Sequence, residues 1–472
     1  MVIESAHSSG ITGFHVFDPL YGMLRLGEAE ELLIQTKAFG RLRYIKMMGL
    51  ASRDALPSAT HTIYEHSLGT AHLTRQLVTR VYDQSIDYKY PSRLDLLAVC
   101  ALLHDIGTSP FSHSLRFITS IGKEERDAVQ DKVIAYLLTD EIQQPEYKTK
   151  GGDGGEKWKK WLNSNDSEIR RIVGTQFVET DPSYYYYIFQ SPLSAHVLDF
   201  LSRDAYYTGI VSRPLNLEWI IGNLEWKKNR PNVEYQSTIL ALETLDWLRG
   251  QTRELGIDIR FAADKMLCRL VDRALEDGLL AKAYLTEVPE FLELNDDTLF
   301  RIIREAILKR SPPDANCELV SQTMKDFETG RDISTVKLFS VEDSKKFKEI
   351  TESIRDGKDG GYRELTKFCR EIEQHIDESG VVDRGFVVSA YPDMQYELYG
   401  RPDRDKLTPI EDCINEVHDE QIKRRLKKSV NWQRSEADSN ESLPKEMHLY
   451  VFGKISDSKE GELRRCVSSC MN

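Results

Sequence analysis

Apolar residues recur at helical spacing through the first two thirds of the chain. The runs EAEELLIQTKAFGRLRYIKMMGL, EHSLGTAHLTRQLVTRVY and LDLLAVCALLHD, between residues 28 and 135, place hydrophobic side chains three and four positions apart. SPLSAHVLDFLSRDAYYTGI and TLFRIIREAILKR continue this pattern up to the breaker SPPDAN at 311–316. The pattern therefore predicts a mostly α-helical domain over residues 1–310.

Beyond that breaker the pattern changes to short alternating segments. STVKLFSV, RGFVVSAY and MHLYVFGKI have the period of strands, and the charged, helix-like INEVHDEQIKRRLKKSV lies between the last two. We therefore expect a small α+β C-terminal region over residues 311–472. Within the helical part, the glycine-rich segment YKTKGGDGGEKWKK at 147–160 predicts a mobile surface loop.

Composition and charge narrow the class of protein. Hydrophobic residues make up 40% of the chain and charged residues 29%, values typical of soluble globular proteins. No apolar run approaches the length of a membrane span, and the N-terminus lacks the features of a signal peptide, so we expect a cytoplasmic protein with no membrane contact. The net charge of -13 disfavours general nucleic-acid coating, which depends on neutralised phosphates.

The cysteines are scattered without CxxC pairs. This spacing predicts neither a disulfide framework nor a cysteine zinc site. They are Cys100, Cys268, Cys317, Cys369, Cys413, Cys466 and Cys470.

Histidines carry the main chemical signal. Five of the 11 fall between His61 and His113, and His196 follows alone. The pair His104-Asp105 ends the apolar run LLAVCALLHD, so both side chains are expected to project from a buried helix into a cavity. A buried carboxylate beside an imidazole is unfavourable unless a cation or another partner compensates.

A second and a third segment are needed to complete a metal site around that pair. EHSLG at 65–69 and SAHVLD at 194–199 are suitable donors of further ligands. Imidazole with carboxylate suits Zn, Mn, Fe, Ni or Mg without choosing among them. Each residue taken alone is more often a hydrogen-bonded core or surface residue, so only the combination favours a metal site.

Three segments in the same order resemble a known family. They are FGRLRYIKMMGLASRDALPSATHTIYEHSLGTAHLT, LLHDIGTSPFSHSL and HVLDFLSRDAYYTGI, preceded by FDPLYGMLRL at 17–26. Over residues 14–310 the chain resembles the HD-domain deoxynucleoside triphosphate triphosphohydrolases, the dGTPase-like family. The resemblance implies a helical HD fold, a divalent metal ion, cleavage of a dNTP to deoxynucleoside and triphosphate, and a homo-oligomer.

The resemblance also implies a ligand set. His66, His104 and Asp105 match three of the family's four metal ligands, and His196 stands where the family has an aspartate. Replacing a carboxylate by imidazole removes one negative charge and favours a borderline cation such as Zn.

Further roles follow from the same match. Asp105 and His113 would be catalytic, and the substrate would be bound by Arg43, His113, Arg203 and Asp204. Arg203 and Asp204 have an alternative interpretation as a structural ion pair.

Other positions depart from the family. Its phosphate-binding arginine corresponds to Ile63 and its catalytic histidine to Thr108, while its lysine and tyrosine near the last ligand correspond to Val197 and Phe200. No histidine lies between His113 and His196 to match the family's His-Glu pair. Positions that read a guanine activator are Gln35 and Gly40, which predicts a lost or altered activator site.

Three hypotheses therefore remain open. The chain is a metal-dependent nucleotide phosphohydrolase with weakened or redirected activity, a non-catalytic nucleotide sensor, or a nucleic-acid-binding or nuclease HD protein. The basic piece QIKRRLKK at 421–428 supports the third, although such a run is more often a solvated helix face.

Overall fold

The structure is a computed structural model. It describes residues 14–54, 56–81, 93–118, 120–149, 154–173, 194–211, 216–223, 226–227, 230–231, 240, 244–245, 247–248, 257–310, 317, 320–325, 334–340, 344–355, 361–379, 387–392, 447–453 and 459–471.

Helices dominate the described part of the chain, as the hydrophobic spacing predicted. They are α1 (Glu28–Ile34), α2 (Lys37–Gly40), α3 (Ala51–Asp54), α4 (Ile63–Val81), α5 (Arg93–Leu103), α6 (Lys123–Tyr136), α7 (Gly154–Ser164), α8 (Asp166–Val173), α9 (Ala195–Thr208), α10 (Leu217–Asn223), α11 (Ile257–Glu276), α12 (Ala283–Thr286), α13 (Asp296–Lys309), α14 (Lys345–Arg355), α15 (Gly361–Ser379) and α16 (Glu460–Met471). Single 3-10 turns occur at Arg41–Tyr44, Ser112–Phe117 and Glu290–Glu293, and a π turn at Leu137–Glu141.

A β-hairpin precedes the first helix. Strands β1 (Phe14–Asp18) and β2 (Gly22–Leu26) pair antiparallel, with Phe14 opposite Leu26. Leu24 and Leu26 point into the core, while Phe17 and Met23 point outward. A second antiparallel pair is formed by the two-residue strands β3 (Trp226–Lys227) and β4 (Arg230–Pro231).

Helix α4 is the centre of the N-terminal helical region, because α5 and α9 both pack against it. Every residue of α5 from Leu96 to Leu103 is buried, which explains why this segment reads as an unbroken apolar run. Helices α1, α6, α7 and α8 complete this hydrophobic core. The three segments that carry the candidate ligands thus belong to one packed unit.

One prediction about this region was wrong in part. The glycine-rich segment 147–160 was expected to form a mobile loop, and residues 147–149 do lie outside helices and strands, but helix α7 begins at Gly154 and includes residues 154–160. Residues 150–153 lie outside the described part of the chain. The buried side chains of Trp158 and Leu162 lie one helical turn apart and anchor α7 in the core. Burial of this apolar stripe outweighs the low helix propensity of the glycines.

The C-terminal part combines helices with a small sheet. Strands β5 (Ser334–Ser340), β6 (Val387–Pro392) and β7 (Met447–Gly453) form an antiparallel sheet in the order β5-β7-β6, matching the three predicted strands. Helix α15 packs on β6, α14 and α16, and helix α11 of the preceding region also contacts β6 and β7. The fold is therefore mostly α with a small α+β C-terminal region, and the boundary near residue 310 stays a prediction.

Several predictions fall outside the described residues. They include the charged helix at 414–430 and the basic piece at 421–428.

Among the described residues, no helix combines the length and apolarity needed to cross a membrane. Among the cysteines whose side chains the structure describes, five form no disulfide bond: Cys100, Cys268, Cys317, Cys369 and Cys466.

Candidate metal centre

Three separate elements bring four candidate ligands together. His66 lies on α4, and His196 lies in the first turn of α9. Helix α5 ends at Leu103, so His104 and Asp105 lie in the turn after it and not on the helix itself. This turn frees both side chains to face the same point. We call His66, His104, Asp105 and His196 the four-donor cluster.

The donor atoms of the four-donor cluster converge closely. One atom from each residue lies within 4.8 Å of all the others. His66 Nε2 is 2.9 Å from His196 Nδ1 and 3.2 Å from His104 Nε2, and His104 Nε2 is 3.0 Å from His196 Nδ1. Asp105 Oδ2 lies 3.2 Å from His104 Nε2. Two nitrogens that bind one tetrahedral zinc ion are separated by about 3.3 Å, so these spacings fit such an ion.

The outer hydrogen bonds fix the protons on two of the rings. His66 Nδ1 lies 2.7 Å from Asp199 Oδ2, and His104 Nδ1 lies 2.7 Å from the Ala101 carbonyl oxygen. Because both partners only accept, each Nδ1 must carry the proton, and in the neutral rings both Nε2 atoms then present lone pairs. When both rings are neutral, two lone pairs face each other, and a cation between them would remove the repulsion.

Electrostatics within the four-donor cluster also suit a cation. Burial lowers the pKa of His196 well below its ordinary value, and the neighbouring His66 and His104 rings lower it further. Burial opposes ionisation of Asp105, but the surrounding imidazoles outweigh it and hold the pKa of that carboxyl well below its usual range. A neutral imidazole and an ionised carboxylate are the forms that bind metals.

His104 behaves differently from His196. Burial lowers its pKa, but the Asp105 carboxylate and the Ala101 carbonyl outweigh burial, so the pKa of His104 is raised. The side chains of His104 and Asp105 keep 12% and 20% of their surface exposed, whereas His66 has none. The four-donor cluster is therefore closed on the His66 side and open to solvent on the side of the turn.

Behind His66 lies a buried ion pair. Arg203 Nε and Nη2 donate to the two oxygens of Asp199, each at 2.9 Å, and neither side chain is exposed. Burial opposes the charge on Asp199, but Arg203 and His66 lower the pKa of this carboxyl well below its usual range. An ionised Asp199 is thus available to hold the His66 ring.

Gly69 makes this arrangement possible. A Cβ at this position would lie 1.9 Å from Asp199 Oδ1 and 2.5 Å from Arg203 Nη2. Glycine inside a helix is unfavourable by about 1 kcal/mol relative to alanine. Its presence on α4 is explained because the Asp199 carboxylate occupies the space that a side chain would need.

The turn after α5 is held by side chains from elsewhere. The Gln130 amide accepts from the Gly107 N–H at 3.1 Å and donates to the His104 carbonyl oxygen. Buried Arg41 donates to the carbonyl oxygens of Ile106 at 3.1 Å and Thr108 at 2.7 Å. Burial lowers the pKa of Arg41 to about 9. These contacts fix the backbone that carries His104 and Asp105.

His113 lies on the exposed surface beside the four-donor cluster. The two residues before it, Phe111 and Ser112, have φ of 59° and 57°, a left-handed conformation that non-glycine residues rarely adopt. The Asp296 carboxylate accepts from the backbone N–H groups of Phe111 and Lys46 and holds this turn. His113 also contributes to lowering the pKa of His196, so the two rings lie within electrostatic range.

The predicted substrate-binding residues are placed less favourably. Arg203 is fully buried, and its guanidinium is engaged by Asp18 and Asp199. It also does not pair with Asp204, because Asp204 Oδ1 accepts from His61 Nε2 at 2.7 Å while Arg203 pairs with Asp199. The expected Arg203-Asp204 ion pair was therefore wrong, while a direct substrate contact of Arg203 stays a prediction. Arg43 is exposed and stacks on the Tyr64 ring at 3.6 Å.

Apolar residues occupy the positions where the family has charged or polar ones. Ile63 and Val197 are buried, and the Phe200 ring lies 5.4 Å from the His196 ring. Thr108 lies in the turn that Arg41 holds. The side of the four-donor cluster next to α9 is therefore less polar than the resemblance predicts.

Sequence reasoning missed the residues that support the ligands. Gln130 and Asp296 are distant in sequence from everything they hold and carry no recognisable motif. The Asp199-Arg203 pair left one signal, namely the four-residue spacing of opposite charges on a helix.

The comparisons with known proteins define the class of this region. Residues 63–171 match the family model of the HD domain. This part of the chain is therefore similar to HD domains.

The relatives refine that class. A deoxynucleoside triphosphate triphosphohydrolase SAMHD1 from Xenopus laevis is 39% identical over 98 residues, which are 20% of this chain and 15% of the relative. Its homolog from Dictyostelium discoideum is 25% identical over 214 residues, 44% and 38% of the two chains. These matches confirm the resemblance seen in the sequence.

Longer matches carry no functional name. The uncharacterized protein MJ1154 from Methanocaldococcus jannaschii is 28% identical over 293 residues, 61% of this chain and 54% of the relative. The chain thus matches about half or less of the length of these relatives. A crystal structure of a hypothetical protein from Aquifex aeolicus shares the fold, with 20% identity, a TM-score of 0.55 and coverage of 96% of this chain and all of that one.

Proposed function

We propose that the chain is a metal-dependent nucleotide phosphohydrolase that acts on dNTP-like substrates. The observation that carries this proposal is the convergence of three imidazole nitrogens and one carboxylate oxygen within 4.8 Å, on the open side of an HD domain. The relatives named as dNTP triphosphohydrolases supply the substrate class.

The ligands in this proposal are the four-donor cluster. A divalent ion held there would polarise a phosphate oxygen and activate water at neutral pH. Three neutral imidazoles with one carboxylate favour a borderline ion, so we propose Zn ahead of Mn, Fe, Ni or Mg.

The remaining roles fall to residues around the opening. Asp105, with an exposed edge, would orient the attacking water, and exposed His113 would move a proton to or from the reacting oxygen. Exposed Arg43 is the proposed phosphate or base contact, and Asp204 keeps a partly exposed edge of 14% for a substrate hydroxyl. By resemblance we also propose a homo-oligomer, and the cytoplasmic location stays a prediction.

The apolar surroundings set the expected rate. Each well-placed donor to a developing negative charge contributes a factor of about 10²–10³. With Ile63 and Thr108 at two phosphate-handling positions, we expect turnover far below that of a complete site. The same substitutions favour the second candidate, a non-catalytic nucleotide sensor that keeps the fold and the ion.

The test is a product screen with defined metals. The purified chain is incubated with each dNTP, each NTP and a generic phosphodiester in Mg, Mn, Ni or Zn, and products are separated by anion exchange. The proposal expects deoxynucleoside and triphosphate, lost in His104→Ala and Asp105→Ala but kept in His375→Ala, a histidine on α15. Saturable nucleotide binding without product under every metal would favour the sensor.

A further inference from the structure

The turn of the N-terminal hairpin reaches the back of the metal centre. Asp18 Oδ1 accepts from the backbone N–H groups of Leu20 at 2.8 Å and Tyr21 at 3.2 Å, which closes the turn between β1 and β2. The Tyr21 hydroxyl then donates to Asp199 Oδ1 at 2.7 Å. A residue 178 positions away thus contacts the carboxylate that holds His66.

Asp199 has its hydrogen-bonding capacity filled. Oδ1 accepts from Tyr21 and from Arg203 Nη2, and Oδ2 accepts from His66 Nδ1 and from Arg203 Nε. A carboxylate offers about four acceptor sites, so each donor fixes one direction of the group. The Arg203 Nη1 atom in turn lies 2.9 Å from Asp18 Oδ2, which ties the guanidinium to the hairpin.

Tyr21 and Arg203 make different numbers of hydrogen bonds to the Asp199 carboxylate. Arg203 bridges both oxygens of Asp199, whereas Tyr21 contacts Oδ1 alone. Without the hydroxyl, Oδ1 loses one of its two donors, which removes one restraint on the carboxylate that accepts from His66 Nδ1. Burial and the Asp199 charge raise the pKa of Tyr21 well above its ordinary value, so its hydroxyl keeps the donated proton.

We propose that Tyr21 is a positioning residue of the metal centre, acting through Asp199 on the orientation and tautomer of His66, with Asp18 fixing the turn that presents it. The hairpin β1–β2 is then part of the centre and not only a cover over the core. This inference rests on the proposed metal function, because it assigns Tyr21 to the support of a ligand.

The test compares two tyrosine hydroxyls in the full-length chain. Tyr21→Phe removes the contact to Asp199. Tyr147→Phe removes a hydroxyl that donates to buried Glu141 at 3.0 Å, away from the four-donor cluster, and serves as the matched control. The affinity for Zn is measured by competition with a chromophoric chelator, alongside the thermal unfolding midpoint of each metal-free protein.

We expect Tyr21→Phe to weaken Zn binding by about tenfold, at the lower end of the range for outer partners of metal ligands. Tyr147→Phe should bind as tightly as the wild type. A purely structural role would lower the unfolding midpoint in both variants and leave the affinity alone. Equal affinity in the wild type and Tyr21→Phe overturns the inference while the proposed function stands, and absence of Zn binding by the wild type overturns both.

A second readout does not involve the metal. In the metal-free wild type, the nitrogen spectrum of the histidine rings should show His66 with its proton on Nδ1, assigned by its loss in His66→Gln. Tyr21→Phe should give a mixture of tautomers or a broadened signal, and Tyr147→Phe should not. An unchanged His66 signal in Tyr21→Phe contradicts the proposed route through Asp199.

Discussion

Two buried networks of arginines and carboxylates in this chain are similar in composition but differ in the residues that they contact. One joins Arg203, Asp199 and Asp18 behind the four-donor cluster. The other joins helices α11 and α15, where Glu373 accepts from Arg269 at 2.9 Å and from Arg273 at 2.8 Å. Both place carboxylates and guanidiniums almost out of contact with water.

The difference lies in what each network supports. The Glu373 network links helix α11 to helix α15, and its Arg273 also donates to Thr323 Oγ1 at 3.4 Å. The Asp199 network reaches the four-donor cluster through His66, whose Nε2 lies 2.9 Å from His196 Nδ1 and 3.2 Å from His104 Nε2. The Asp199 network therefore supports a candidate ligand, whereas the Glu373 network contacts none of the four donors in the described residues.

The largest expected effect on metal binding comes from filling the space beside Asp199. Gly69→Ala places a methyl group where Asp199 and Arg203 now lie, so the carboxylate must move from His66. We expect Zn binding to fall by at least about 100-fold, the upper range for outer partners. Chelator competition measures it, and Gly40→Ala, a helical glycine with open space around its Cβ position, is the control. Wild-type affinity in Gly69→Ala would show that Asp199 does not matter to the ligands.

The second prediction concerns a substitution that disrupts the Glu373 network. Glu373→Ala leaves two buried arginines unpaired and should reduce the free energy of unfolding by about 3–5 kcal/mol. The folded fraction should bind Zn with unchanged affinity, because this network does not touch the four-donor cluster. Urea unfolding and chelator competition give the two values. If the free energy of Zn binding changed by more than the free energy of unfolding, the two networks would not differ in the way proposed.

A pH effect of intermediate size belongs to Asp296. Burial raises its pKa to about 6, above an unfolded value of about 3.9. The folded state then binds the proton more tightly than the unfolded state, so Asp296 stabilises the fold fully below about pH 4. As pH rises to about 6 this contribution is lost, which lowers the free energy of unfolding by up to about 3 kcal/mol. The stability difference between wild type and Asp296→Asn should change over that window and be constant above it. A difference independent of pH would contradict the assignment.

The smallest effect concerns metal choice. His196→Asp restores the carboxylate that the family has at this position and adds one negative charge. We expect the affinity for Mn to rise relative to Zn by about tenfold, since oxygen ligands suit harder ions. Parallel competition with both ions measures the ratio. An unchanged ratio would mean that His196 does not bind the ion.

How much of this was predictable depends on the range of the contacts. The helices followed from local apolar spacing, and the candidate ligands His66, His104 and His196 were recognised from motifs within three short segments, which the structure brings together. Helix α7 was missed because the glycines dominate its local signal, while the burial of Trp158 that stabilises it is a tertiary effect.

The supporting residues could not be predicted for the same physical reason. Tyr21, Gln130 and Asp296 act across 178, 26 and 185 positions of sequence, on backbone or side-chain atoms that no spacing rule brings together. Of the supporting residues named here, only Asp199 and Arg203 have a spacing, one helical turn, from which their contact could be predicted.

The convergence of the four-donor cluster on one cation is tested most directly by titrating the metal-free protein with cobalt. The account predicts one ion per chain, with visible absorption bands of a four-coordinate nitrogen and oxygen site that disappear in His66→Ala, His104→Ala and His196→Ala. Absence of saturable binding, or identical spectra in the wild type and these three variants, would contradict it.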